Sequence, residues 1–89
     1  MTDRLIRFPG RTWEEIEALP QRVRWNVQQV IAGLLHDPVP TLADPFPRDA
    51  PLPGAYELHL LAQDVTIWYT VAAHEDHEVV SIQLVKLDT

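Results

Sequence analysis

Eighty-nine residues, 46% of them hydrophobic and 22% charged, suffice for one domain around one core, so residues 1–89 are expected to form a single domain. A formal net charge of -6 with a single lysine, Lys86, opposes an electrostatic grip on nucleic acid and suits a basic protein partner better. Cysteine is absent, which excludes disulfides and thiolate zinc sites, and Asp3, Arg4 and Arg7 interrupt any leader-like or membrane-spanning run, so no membrane partner and a cytoplasmic location are expected.

Arg4-Leu5-Ile6-Arg7-Phe8 is a short apolar run closed by the turn pair Pro9-Gly10, and it reads as an edge strand. Thr12-Trp13-Glu14-Glu15 matches the capping box, which predicts a helix from Trp13 with the Thr12 hydroxyl on the N3 amide. Leu19-Pro20 interrupts that helix, because proline disfavours helical backbone in the residue before it and suits the start of a new helix. From Pro20 to His36, Val23, Val27, Val30, Ile31, Leu34 and Leu35 draw one apolar stripe. Three valines and Gly33 form helix poorly, so burial of the stripe must hold this segment. Ile16 and Leu19, with Trp13 or Trp25 at the junction, close a helical hairpin over the same core, and His36 is expected to satisfy carbonyls at the helix end.

Residues 37–53 hold six of the eight prolines, a density that excludes helix and central strand. An extended strap is expected here, laid over one end of a sheet and pinned by Phe46 and Leu52. Beyond it, residues 55–61, 65–71 and 79–85 are rich in β-branched and aromatic residues and are separated by short polar breaks, which gives an antiparallel three-stranded meander. Alternation sorts Tyr56, Leu58, Leu60, Val65, Ile67, Tyr69, Val71, Val80, Ile82 and Leu84 onto one face, which the helices must cover. Glu57, His59, Thr66, Trp68, Thr70, Ser81 and Gln83 fall on the opposite, open face. The fold class is therefore α+β, with an N-terminal strand, a two-helix hairpin and a meander, and both helices on one sheet face.

This order, together with Leu19-Pro20, Asp37-Pro38, the run Leu52-Pro53-Gly54-Ala55-Tyr56-Glu57-Leu58 and the run Ile67-Trp68-Tyr69-Thr70-Val71, resembles the RelE/ParE superfamily of bacterial toxins over nearly the whole chain. The resemblance implies a toxin-type protein paired with a cognate antitoxin. RelE-branch members are ribosome-dependent endoribonucleases (mRNA interferases), and ParE-branch members inhibit gyrase. It also implies a site on the open face, with no cofactor. The strand after the Gly-x-Tyr element, basic in ribonuclease members, carries Glu57 and His59 here, and the place of a usual arginine is Thr66. Arg48, near a commonly basic loop position, and Lys86 keep the pattern.

His59, Arg48 and Lys86 are accordingly the candidate catalytic residues: an acid or base with its unperturbed pKa near neutrality, and cations for the charge that develops on phosphorus. The plainer reading of His59 is a solvated polar residue on a half-exposed strand. Glu57, Trp68 and Gln83 are the candidate partner-binding residues, with Trp68 able either to anchor an external partner, including a second copy in a homodimer, or to lie under the proline-rich strap. His74-Glu75-Asp76-His77 places donors together at a hairpin tip that splays them apart, so no metal site is assigned. Two functions remain open: a toxin acting through the open face on the ribosome or mRNA, and a non-catalytic module that keeps the scaffold to bind an antitoxin, gyrase or itself.

Overall fold

A computed structural model describes residues 3–88. They run β1 (Asp3–Arg7), α1 (Thr12–Glu17), α2 (Gln21–Gly33), β2 (Ala43–Pro45), β3 (Ala55–Leu60), β4 (Val65–His74) and β5 (His77–Leu87). All five strands share one sheet in the order β1-β5-β4-β3-β2. The expected meander forms its centre: β3, β4 and β5 pair antiparallel. The N-terminal strand lies at one edge, parallel to β5 with Ile6 beside Val80. At the other edge, within the proline-rich segment, three residues pair antiparallel with β3 as β2, where Pro45 can sit because an edge strand need not donate on both sides.

The helices cover one face. Val27, Ile31 and Leu34 from the α2 stripe, with Ile16 and Leu19 from the first helix and its end, meet Leu58, Val65, Ile67, Tyr69, Val80, Ile82 and Val85 in one buried cluster. Burying large aliphatic side chains contributes about 1.5–3 kcal/mol each. That packing holds α2, which has neither a side-chain cap nor an acidic first turn. Tyr69 is among the largest fully buried side chains, and its hydroxyl donates to the Pro38 carbonyl at 2.8 Å. Burial first, then the neighbouring Tyr56 and Asp37, pushes its pKa up to about 12.

Several expectations are corrected. Thr12 does not cap α1: its hydroxyl turns back to donate to the Pro9 carbonyl at 2.8 Å, and the helix starts one residue early with Arg11 at the N-cap. The second helix ends at Gly33, and a tighter turn of i to i−3 bonds carries the chain to His36. At that end it is Arg4, not His36, that donates to the Leu35 carbonyl, while its Nε pairs with Glu78 at 2.8 Å and so ties β1 to β5. Trp25, 61% exposed, does not close the hairpin, and Leu52, also 61% exposed, is no pin.

The last correction concerns β5. Trp68 pairs with Leu84 but Tyr69 pairs with Ile82, so Gln83 is an extra residue, a β-bulge. A one-residue insertion reverses every side chain beyond it. Val85, opposite Ile67, therefore enters the core at 3% exposure, and Leu84, expected there, moves to the open face beside Trp68.

Candidate functional site

Strand pairing arranges the open face in rows. Because residues paired across strands share a face, His59 (β3), Thr66 (β4) and Lys86 (β5) form one row, and Asp44 (β2), Glu57, Trp68 and Leu84 form the next. His59 and Lys86 are two strand spacings apart, about 10 Å. Two of the three candidate catalytic residues thus flank Thr66.

Thr66 is 5% exposed, and its hydroxyl is the hinge of the site. It donates to Asp88 Oδ2 at 2.7 Å and stands 2.9 Å from His59 Nδ1. Since the hydroxyl proton points to Asp88, the contact with Nδ1 is made by the imidazole donating. His59 Nε2 in turn lies 3.3 Å from Asp88 Oδ2, and Glu57 Oε1 is 4.0 Å from Nδ1. The imidazole therefore stands between two carboxylates.

Arg48 reaches the same region from the loop after β2. With Leu42, Glu57, His59 and Leu61 it lines a shallow depression, but its guanidinium is held by Asp44 at 2.7 Å. The pair is largely exposed, so its worth is small, yet it occupies the charge a ligand phosphate would use. Lys86, exposed at the end of the His59 row, carries no such partner among the ion pairs of the described residues.

Two of the candidate partner-binding residues, Glu57 and Trp68, are drawn inward. Trp68 donates from Nε1 to Glu57 Oε2 at 3.1 Å, and Phe46 from the strap stacks on the indole with centroids 4.7 Å apart and planes 29° apart. Of the two readings open for Trp68, internal cover is the one seen on this side of the ring. Gln83 stands exposed at the bulge and donates to Thr70 Oγ1 at 3.4 Å. At the β4–β5 tip the His74 and His77 rings lie 5.8 Å apart, and among the described residues no group of three or more His, Cys, Asp or Glu side chains could hold a metal ion.

Sequence reasoning placed His59, Glu57, Thr66 and Trp68 on one face but missed Asp88, the central part of Thr66 and the bulge that brings Lys86 to the same side. The signal for Asp88 was its position two residues after Lys86, within reach of the same side. The signal for Thr66 was a small hydroxyl residue between β-branched neighbours, whose burial only the packing reveals.

No protein-family model matches the sequence, and no curated protein does. Solved structures do resemble it. A chain of the toxin–antitoxin complex RelBE2 from Mycobacterium tuberculosis superposes with a TM-score of 0.74 at 18% identity, over 97% of this chain and 99% of that one. The isolated RelE toxin of E. coli gives 0.75 at 18% identity, over 96% and 84%. A YoeB/ParE toxin from Agrobacterium tumefaciens gives 0.72 at 13% identity, over 98% of each. The fold is thus that of the RelE/ParE toxins, as the resemblance in the sequence implied.

Proposed function

We propose that this protein is the toxin-type member of a bacterial toxin–antitoxin pair and that it acts by binding protein rather than by cutting RNA. The supporting observation is the internal compensation of its open face. Arg48 is tied to Asp44, His59 is held between Asp88 and Glu57, and a buried Thr66 stands between His59 and Lys86. A ribonuclease must stabilise charge that develops on phosphorus, and a face whose Arg48 is held by a carboxylate and whose His59 stands beside two, with Lys86 outside such a pair among the described residues, offers little for that. The net charge of -6 lowers the affinity for RNA further and attracts a basic protein segment. The antitoxin complexes among its structural neighbours support a protein partner of the same kind.

Co-expression with the product of the gene adjacent to its own, followed by size-exclusion chromatography, tests this reading. A stable complex that withstands dilution to nanomolar concentration is expected, and two independently eluting proteins would overturn it.

A second reading, a ribosome-dependent endoribonuclease, is favoured by one observation, the His59–Thr66–Lys86 row, which sets a potential acid or base and a cation about 10 Å apart on one face. Incubation of the purified protein with ribosomes translating a defined mRNA separates the two. Intact mRNA is the outcome of the binding reading. Cleavage that His59→Gln or Lys86→Met abolishes establishes the second.

A further inference from the structure

We propose that His74 and His77 are one half of a zinc site and that a second copy of this chain brings the other half. The inference goes beyond the toxin reading and does not rest on it. The two histidines are the outermost pair of the β4–β5 hairpin, on either side of the turn Glu75-Asp76. A hairpin tip splays neighbours in sequence, whereas residues paired across strands share a face, so both imidazoles stand on the same side of the sheet. Their ring centroids lie 5.8 Å apart with planes inclined by 31°. One zinc ion held between two imidazoles, about 2.0–2.1 Å from each nitrogen, sets the centroids roughly 5–6 Å apart. The side-chain hydrogen bonds and ion pairs of histidine among the described residues are those of His59, at the other end of β4, and do not engage this pair.

Two ligands fall short of a structural zinc site, which is four-coordinate. Asp3 pairs with His77 from β1 and extends the row, yet among the described residues no third ligand is gathered in. A two-fold axis through the metal doubles two imidazoles to the tetrahedral four. That set suits zinc, whereas Cu2+ and Ni2+ favour square-planar or tetragonal surroundings. Charge argues for a second copy as the completing partner. Asp3, Glu75 and Asp76 stand exposed around the pair and each chain carries a net charge of -6, so two copies repel at this tip until a dication lies between them. The row next to the histidines on the same face is Leu5, Val79 and Ala72, in which Leu5 is 51% exposed and Ala72 is exposed, an apolar margin that a second copy would cover. The last β3–β4 pair is Ala55 with Thr70, so on that side the hairpin projects past its neighbour and can be approached.

Sedimentation analysis of the full chain without an affinity tag tests this, first in the presence of a chelator and then with zinc added in steps at fixed pH and ionic strength. The expected result is a doubling of the molar mass that is complete near one zinc per two chains and is reversed by the chelator. His74→Ala and His77→Ala each remove two of the four ligands from the dimer. Both are expected to stay at the monomer mass at the same zinc, with folding confirmed by circular dichroism, while His36→Gln should double like wild type. A molar mass that zinc leaves unchanged overturns the proposal, and so does zinc bound by each chain without association. A zinc-dependent dimer that survives the loss of His74 or His77, or that His36→Gln abolishes as well, overturns it too.

Discussion

Phe46 lies against Trp68 with ring centroids 4.7 Å apart and planes inclined by 29°, so the proline-rich strap grips the open face of the sheet through one aromatic pair. Such pairs contribute about 0.5–1.5 kcal/mol beyond the area they bury. Phe46→Ala is expected to destabilise the fold by about 1–2 kcal/mol. It should also shift tryptophan emission to the red. Trp13 and Trp25 are already 47% and 61% exposed, so the shift would report Trp68. An unchanged emission maximum would show that the strap does not cover the indole.

The bulge at Gln83 makes neighbouring residues of β5 unequal. Val85→Asn places an amide among Ile67, Val65 and Leu58 and is expected to cost about 3 kcal/mol or more, whereas Leu84→Asn, on the open face, should cost about 1 kcal/mol or less. Denaturant midpoints at equal slope measure both. The reverse order would mean that β5 alternates without interruption.

Tyr69 links stability to alkaline pH. Its pKa lies at the ordinary tyrosine value of 10.0 in the unfolded chain and is pushed up to about 12 in the fold. A group with a raised folded pKa contributes its full stability below the unfolded value and loses it as pH rises through the folded one. Stability should therefore fall across pH 10 to 12, by roughly 1.4 kcal/mol per pH unit from this group. Tyr69→Phe should flatten that part of the profile, at a cost of about 1 kcal/mol near neutrality for the lost bond to the Pro38 carbonyl. Urea titrations of both proteins across the window check the difference.

Gly54 sits where no other residue fits. Its φ is +77°, and a Cβ there would stand 2.5 Å from the Val71 carbonyl oxygen, while the Val71 amide donates to the Gly54 carbonyl at 2.7 Å. Backbone of β4 cannot retreat without breaking that bond. Gly54→Ala is expected to cost about 2 kcal/mol or more, which lowers the melting temperature of a domain this size by roughly 10 °C. An unchanged melting temperature would remove Gly54 as the anchor between strap and sheet.

What the sequence disclosed was what periodicity can carry. The stripe from Val23 to Leu34 and the alternation in β3 and β4 each repeat over several turns or pairs, so single exceptions do not disturb them. The β5 face failed at one residue, because a bulge leaves no mark in composition: Gln83, Leu84 and Val85 read equally well in either register until β4 fixes it. Thr12 failed differently, since a capping box specifies partners within one turn and the Pro9 carbonyl lay outside the pattern. The parallel edge between β1 and β5 joins residues more than 70 positions apart and had no local signal. On the open face, alternation located His59 and Trp68, whereas Lys86 reaches it only through the bulge at Gln83. The partners of His59 and Trp68, Asp88 and Phe46, come from other segments, and Arg48 is held by Asp44, so the compensation of charge became visible only in three dimensions.

Growth of a bacterial host expressing this chain from a regulated promoter, alone and together with the product of the adjacent gene, tests the proposed toxin role most directly. Arrest when the chain is expressed alone, relieved by the neighbour and still present with His59→Gln, is the predicted result. Undiminished growth at a level of soluble, folded protein that saturates its partner would contradict it.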